Sequence, residues 1–119
     1  MLRLNTSLVR AVKNGGYSVD DQVYYYDAFI GSICVGRFSV RPSDQTLGHI
    51  GYEVFGQFRG LGIGLMIGKL AVKKCKQLGI KDIKICCRKD NKPSLAIIKH
   101  LGGKLVAENR SFLTFVIEE

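Results

Sequence analysis

Short runs of strand-forming residues occupy the first half of the chain, and in one of them apolar and polar positions alternate. Strand-forming Val, Tyr, Phe and Ile fill Val23–Phe29 and Ser32–Val40, with Gly31 between them as a turn or bulge. Every second residue of Gly48–Phe55 from Ile50 onward is apolar, which predicts another strand. The Arg41–Asp44 segment contains Pro and Asp and is predicted to be a loop.

The second half changes to a helical spacing and then returns to strands. Within Arg59–Leu78 apolar residues recur every three or four positions opposite a row of lysines, which predicts an amphipathic helix that ends at Gly79. The remaining predicted elements are a strand, a helix and two strands: Lys81–Cys87, Lys92–Leu101, Lys104–Ala107 and Phe112–Ile117. A short helix is also expected at Leu8–Lys13, ending at Gly15 and Gly16. This order predicts an α/β (α+β) fold in which helices cover a mixed sheet.

The length and composition indicate a single small domain without metal or membrane features. A chain of 119 residues suits one domain, residues 1–119. It has no apolar run long enough to cross a membrane, and its first ten residues lack the apolar segment of a secretory signal. The cysteines lack the spacing of a zinc site or a disulfide framework: Cys34, Cys75, Cys86 and Cys87. We therefore expect a cytoplasmic protein with no bound metal.

The net charge of +8 points to an anionic partner without selecting one. A phosphorylated cofactor, an acidic substrate or nucleic acid would each suit it. Since the sequence has no recognised nucleic-acid-binding motif, nucleic acid is not the expected partner. Lys69, Lys73 and Lys76 on the long helix form either a solvated face or a contact for a phosphate or an acidic partner.

A glycine-rich loop connects the Gly48–Phe55 strand to the long helix. Gly60, Gly62 and Gly64 permit close backbone approach, and the first turn of a helix offers unpaired N–H groups and the positive end of its dipole. With the cation of Arg59 beside them, these groups can hold a pyrophosphate. The spacing fits neither the dinucleotide fingerprint nor the P-loop. The alternative is a tight strand–helix turn with glycines needed only for packing.

The same loop resembles the acetyl-CoA-binding motif of the GNAT superfamily of N-acetyltransferases. Arg59-x-x-Gly62-x-Gly64 fits the pattern Arg/Gln-x-x-Gly-x-Gly/Ala, and Gln57 begins a second, nested match. A second part of the family pattern follows the helix, and together the matches form one ordered set: Val54, Arg59, Gly62, Gly64, Asn91, Ser94 and Gly102. The resemblance extends from Gly31 to Ile117.

This resemblance implies a fold, a cosubstrate and its binding residues. The fold would be a mixed, mostly antiparallel twisted sheet with flanking helices and a CoA cleft between two central strands. The pantetheine arm of acetyl-CoA would pair with the backbone of Tyr52 and Val54, and Asn91 would reach that arm. Ser94 would lie near the thioester end of the cleft. The pyrophosphate would rest on the N–H groups of the loop: Arg59, Gly60, Leu61, Gly62, Ile63 and Gly64.

The catalytic groups are less evident than the cofactor groups. Direct transfer of acetyl to an amine requires a neutral amine, a stabilised oxyanion and protonation of the leaving thiolate. Glu53 and His49 are the candidate bases, and each is alternatively an ordinary strand or surface residue. The family's usual acid, a Tyr seven residues after the Asn, is replaced by Ile98. Water or a tyrosine of the run Tyr24–Tyr26 could take its place. His100 is expected only to favour a helix C-terminus.

The region before Gly48 is shorter than the family usually has. Only 47 residues precede it, where most members place two helices that shape the acceptor site. The acceptor wall would then be open or come from a second subunit, and the tyrosines of Val23–Phe29 suit an interface, so we expect a homodimer. The expected function is N-acetylation of a primary amine on a small molecule or peptide. The alternatives are a non-catalytic acyl-CoA-binding module and, on charge alone, a basic nucleic-acid-binding domain.

Overall fold

The computed structural model describes residues 5–13, 22–43 and 48–118, which form a mixed α+β fold. Seven strands, two α-helices and a short 3₁₀ helix at Gly56–Phe58 follow one another in this part of the chain. The strands and α-helices are β1 Asn5–Lys13, β2 Gln22–Ile30, β3 Ile33–Val40, β4 Ile50–Val54, α1 Ile63–Gln77, β5 Ile83–Arg88, α2 Lys92–His100, β6 Lys104–Glu108 and β7 Phe112–Ile117. The strands form one sheet in the order β1-β2-β3-β4-β5-β7-β6. All neighbours are antiparallel except β4 and β5, which are parallel and joined through α1. The predicted fold class is confirmed.

The predicted helix at Leu8–Lys13 is wrong, because these residues belong to strand β1. Their backbone pairs with β2, with Leu8 opposite Tyr26 and Val12 opposite Val23. Pairing with β2 along the strand, interrupted by a bulge between Leu8 and Arg10, outweighs the weak local pattern that suggested a helix. Tertiary context routinely overrides local propensity in this way. Gly15 and Gly16, the expected helix end, lie outside the described residues.

Helix α1 begins four residues later than predicted, at Ile63. Gly60 and Gly62 have φ values of +80° and +79°, which a right-handed helix does not contain. The residues from Arg59 to Gly62 therefore form a loop that leads into the helix. At the other end, Gly79 has a φ of +83° and stops the helix as predicted.

Both helices pack on one face of the sheet. Helix α1 lies against β3 and β4, and α2 lies against α1 and β5. Small residues allow the two helices to approach closely, since a Cβ placed on Gly68 would lie 3.0 Å from a methyl of Leu101. The buried core between sheet and helices is aliphatic and aromatic, with Phe38, Ile67 and Ile85 fully buried. None of the helices in the described residues is long and apolar enough to span a membrane.

The sheet opens between β4 and β5. In the described residues these strands pair at a single position, Ile50 with Ile85. Just before it, His49 and Lys84 exchange hydrogen bonds: the N–H of His49 donates to the Lys84 carbonyl at 2.7 Å, and the N–H of Lys84 donates to His49 Nδ1 at 2.9 Å. Because the pairing stops there, the C-terminal halves of β4 and β5 enclose a gap on the side where α1 and α2 begin.

Candidate active site

A cleft of about 510 Å³ lies beside the C-terminal half of β4, where β4 no longer pairs with β5. Its walls come from β4, the glycine loop and the N-terminal turns of α1 and α2. Eight of the ten residues predicted to bind the cofactor line it: Tyr52, Val54, Arg59, Gly60, Gly62, Gly64, Asn91 and Ser94. The fold thus brings together two motifs that lie about thirty residues apart in the sequence.

The backbone of β4 presents hydrogen-bonding groups to this cleft. The carbonyl of His49 and the N–H of Phe55 bond to neighbouring backbone on the β3 side, at 2.8 and 2.9 Å. In an antiparallel pair, the residues that bond to the partner strand alternate with residues whose N–H and C=O point away from it. Tyr52 and Val54 occupy the second kind of position, opposite Phe38 and Gly36 of β3. Their backbone groups therefore face the cleft, where an extended amide-containing chain can pair with them.

The glycine loop forms a backbone site for an anion. Gly60 and Gly62 have positive φ, whereas Leu61 between them does not. Alternation of this kind turns successive N–H groups toward one point. Helix α1 has no side-chain cap and no acidic residue in its first turn, and its first intrahelical bond runs from Met66 N–H to the Gly62 carbonyl. The N–H groups before Met66 thus have no partner within the helix and suit an anion.

Glycine is required at the different positions of the motif for different physical reasons. A Cβ on Gly62 would meet no atom within 4 Å, so its backbone conformation is what requires glycine there. A Cβ on Gly64 would lie 2.8 Å from Ile97 Cδ1, so Gly64 also serves the packing of α1 on α2. The side chains of Leu61, which is exposed, and Ile63, which is buried in the core, do not line the cleft. These two residues can contribute only through their backbone N–H groups.

Arg59 is held at the mouth of the cleft by the strand it follows. Its Nε donates to the carbonyl of Val54 at 3.1 Å, and its side chain is otherwise exposed. The guanidinium therefore stands beside the loop with donors to spare, because one of its five N–H groups makes this bond. The position adds a permanent positive charge next to the N-terminus of α1.

Helix α2, in contrast with α1, is capped by a side chain. Asn91 Oδ1 accepts a hydrogen bond from the N–H of Ser94 at 3.2 Å. The capping bond occupies the amide oxygen and leaves the amide NH₂ of Asn91 as a donor at the cleft wall. Pro93 in the first turn suits this helix start, since its missing N–H is not needed there.

Two hydroxyl groups meet across the cleft. The side-chain oxygens of Tyr52 on β4 and Ser94 on α2 lie 2.8 Å apart. Burial raises the pKa of Tyr52, the hydrogen bond to Ser94 opposes that rise, and the nearby Cys87 adds to it. The phenol of Tyr52 is consequently protonated at neutral pH and available as a donor.

The structure separates the two candidate bases. Glu53 lines the cleft and its side chain is exposed. His49 is buried, does not line the cleft, and uses Nδ1 to accept the N–H of Lys84. His49 therefore joins β4 to β5, and of the two candidates only Glu53 lines the cleft.

The acid expected from the family is not replaced by the tyrosines of β2. Ile98 is completely buried in the core beneath α2. Tyr26 stacks on Phe38, with ring centroids 4.8 Å apart, and Tyr24 and Tyr25 lie on the same strand, which β3 separates from β4. His100 is exposed at the end of α2. The phenol at the cleft is instead that of Tyr52, a residue expected to contribute only its backbone.

Several apolar cleft residues were not anticipated: Phe58, Leu65, Pro93 and Ile97. Two of them could have been found from helical spacing, since Leu65 follows Gly62 and Ile97 follows Ser94 by three residues. They give the cleft an apolar wall. Within the described residues, no group of three or more His, Cys, Asp or Glu side chains could hold a metal ion.

Solved structures with this fold include several acetyltransferases, all of low sequence identity. The Bacillus subtilis acetyltransferase in complex with CoA is 17% identical, with 82% of this chain and 77% of that chain covered and a TM-score of 0.71. The N-acetyltransferase PseH of Campylobacter jejuni is 15% identical, with 82% of this chain and 68% of that chain covered and a TM-score of 0.71. A GNAT family acetyltransferase from Elizabethkingia anophelis with acetyl-CoA bound is 14% identical, with 98% of both chains covered and a TM-score of 0.68.

Sequence comparison assigns the family. No curated protein matches the chain significantly in sequence. Residues 7–104, which include the β4 strand, the glycine loop and both helices of the cleft, match the family described as Acetyltransferase (GNAT) domain. The chain therefore belongs to the GNAT acetyltransferase family.

Proposed function

We propose that this protein transfers the acetyl group of acetyl-CoA directly to a primary amine of a small molecule or peptide. The proposal rests on one observation: two binding sites made of backbone groups lie next to each other in one cleft. Beyond Ile50 the outer edge of β4 pairs with no strand in the described residues and suits an amide-containing arm. The N-terminus of α1, which has no side-chain cap, suits a pyrophosphate. CoA contains both groups, linked in one molecule.

The pantetheine arm and the pyrophosphate of the cofactor each have a matching group in the cleft. The pantetheine amides pair with the backbone of Tyr52 and Val54, and the amide NH₂ of Asn91 donates to a pantetheine carbonyl. The pyrophosphate rests on the loop of Gly60 and Gly62. Acetyl-CoA supplies the acetyl group in activated form, as a thioester. The acetyl-CoA-bound Elizabethkingia structure supports this assignment, because it has the same fold over nearly its whole length.

Glu53 deprotonates the acceptor, either directly or through a water molecule. Val54 faces α1, since its Cγ2 lies 3.6 Å from a Cβ placed on Gly64. Consecutive strand residues point to opposite faces, so Glu53 points away from the helices while still reaching the cleft. The amine approaches from that face, and holding it beside the thioester supplies much of the rate.

A non-catalytic acyl-CoA-binding module is the second candidate. The observation in its favour is Ile98, which is buried where the family usually has its acid. Calorimetry with acetyl-CoA, followed by thiol release with a panel of small primary amines and short peptides with free N-termini, separates the two. The proposed function predicts tight binding and amine-dependent thiol release. Binding without amine-dependent release would favour the module, and no binding would contradict both.

A further inference from the structure

We propose that Tyr52, positioned by Ser94, donates the proton to the leaving sulfur of acetyl-CoA. The inference rests on the proposed function and assigns the acid that Ile98 cannot provide. It gives Tyr52 a catalytic side chain in addition to its backbone contact, and it gives Ser94 the task of holding and supporting the phenol.

The location of the phenol carries the first part of the argument. Tyr52 lines the cleft and its hydroxyl reaches Ser94 on α2, at 2.8 Å, so the side chain extends from one wall to the other. Glu53 is the next residue along β4 and points to the opposite face. A base and an acid on adjacent strand residues would thus flank a thioester that lies between the strands, with the amine on the side of Glu53.

The proton balance requires one donor on the side of the sulfur. The amine nitrogen attacks the thioester carbonyl carbon, the C–N bond forms, and the C–S bond breaks with its electron pair on sulfur. Tyr52 gives its hydroxyl proton to that sulfur, which leaves as the free thiol. The phenolate of Tyr52 is then reprotonated through Ser94 from solvent, while Glu53 passes the proton of the amine to solvent. No oxidant, metal or further reactant is needed.

The surroundings of Tyr52 suit this sequence of events. Burial raises the pKa of Tyr52, so the phenol keeps its proton at neutral pH. The hydrogen bond with Ser94 lowers that pKa, because Ser94 can donate to the phenolate formed during transfer. Ser94 itself is fixed by the N-terminus of α2, where its N–H donates to Asn91.

Other donors in the described residues are less suitable. Tyr26 is stacked on Phe38 two strands away from the cleft. Cys87 is buried outside the cleft lining, and burial raises the pKa of its thiol. Arg59 and Asn91 line the cleft, but a guanidinium does not release its proton and an amide is not an acid at this pH.

Three variants of the full chain test the assignment. Tyr52→Phe and Ser94→Ala each remove one hydroxyl, and Tyr26→Phe removes a phenol hydroxyl outside the cleft as the matched control. Thermal unfolding checks that each variant folds. For the amine that wild type uses best, we expect Tyr52→Phe to lower kcat about 100-fold with little change in KM for acetyl-CoA. Ser94→Ala should lower kcat less and move the alkaline limb of the pH profile upward.

A second readout does not require an acceptor. A hydrogen bond from Tyr52 to the CoA thiolate would lower the pKa of the bound thiol by about one unit. Comparing the pH dependence of CoA binding with that of acetyl-CoA binding measures the pKa of the bound thiol. This thiol pKa should rise in Tyr52→Phe but not in Tyr26→Phe. Unchanged kcat and an unchanged thiol pKa in folded Tyr52→Phe would overturn the inference. Failure of wild type to acetylate any amine would instead contradict the proposed function.

Discussion

At the residue scale, two glycines share a backbone conformation but not a location. Gly62 and Gly79 have φ values of +79° and +83°, and a Cβ on either would meet no atom within 4 Å. Gly62 lines the cleft, whereas Gly79 follows the far end of α1. Any difference between alanine variants at these positions therefore reports on the cleft and not on backbone strain.

We predict that Gly62→Ala and Gly79→Ala each lower the free energy of unfolding by about 1 kcal/mol, because alanine is strained at positive φ. Only Gly62→Ala should weaken acetyl-CoA binding, by about 10-fold, since the loop N–H groups can no longer converge on the pyrophosphate. Urea denaturation and calorimetry measure the two effects. Unchanged affinity in folded Gly62→Ala would remove the loop from the cofactor site.

We predict that Glu53→Gln lowers kcat about 100-fold near neutral pH without changing acetyl-CoA affinity. Raising the pH should restore part of the rate, because more of the amine is then neutral without help from a base. Glu108→Gln is the control, since Glu108 is an exposed carboxylate on the edge strand β6. If Glu53→Gln keeps the wild-type rate and pH profile, Glu53 is not the base.

Some residue roles could be predicted from the sequence, and others could not. The loop from Arg59 to Gly64 was recognisable because its chemistry is local: glycines at a helix start. The contact between Tyr52 and Ser94 was not, because it joins residues 42 positions apart and depends on how α2 packs against β4. The structural role of His49 was hidden for the same reason, since its partner Lys84 is on another strand.

At the scale of elements, the two helices of the cleft use their N-termini differently. Helix α1 leaves its first N–H groups without a side-chain cap, whereas α2 is capped by Asn91. The amide of Asn91 has two ends: its oxygen caps the helix, and we propose that its nitrogen donates to the cofactor. A substitution that keeps one end and changes the other can separate the tasks.

We predict that Asn91→Asp keeps the free energy of unfolding, because a carboxylate caps a helix as well as an amide does. Its affinity for acetyl-CoA should fall about 10-fold, since the donor is lost and a negative charge now faces an anionic cofactor. Asn91→Ala should lose about 1 kcal/mol of stability as well. Equal acetyl-CoA affinity in Asn91→Asp and wild type would show that the amide nitrogen does not contact the cofactor.

Most elements were predictable from periodicity, and the exceptions have a physical cause. The β-branched and aromatic residues of β2 and β3, the alternation in β4 and the apolar stripe of α1 are local features that the sequence shows directly. Strand β1 is specified by its pairing with β2, which a local pattern does not contain. The late start of α1 follows from the backbone conformation of Gly60 and Gly62, which a composition-based boundary overlooks.

At the scale of the whole molecule, the sequence indicated a mixed sheet but not its strand order. That β7 inserts between β5 and β6 is a non-local outcome, and it leaves β6 at the edge. The opening between β4 and β5 was expected only from the family resemblance. Its structural basis is the single paired position, Ile50 with Ile85, which no local signal encodes.

The homodimer stays a prediction, but the structure gives a reason to expect its interface at a strand other than β2. Strand β2 lies inside the sheet, with Tyr26 stacked on Phe38. The edge strand β6 instead exposes Leu105 by 53% and Val106 by 56%. We expect two copies to meet at β6, and we expect Val106→Lys to separate them. Light scattering at micromolar concentration should give twice 13.2 kDa for wild type, and a wild-type mass near 13.2 kDa would contradict the prediction.

The most direct test of the central claim is mass spectrometry of the acceptors after incubation with acetyl-CoA. The reaction contains the panel of amines and peptides with wild-type protein, with Gly62→Ala or with no protein. We predict that at least one amine gains a single acetyl group on nitrogen with wild type, much less with Gly62→Ala, and none without protein. Acetyl-CoA that binds but is only hydrolysed, with every amine unmodified, would contradict direct acetyl transfer by this cleft.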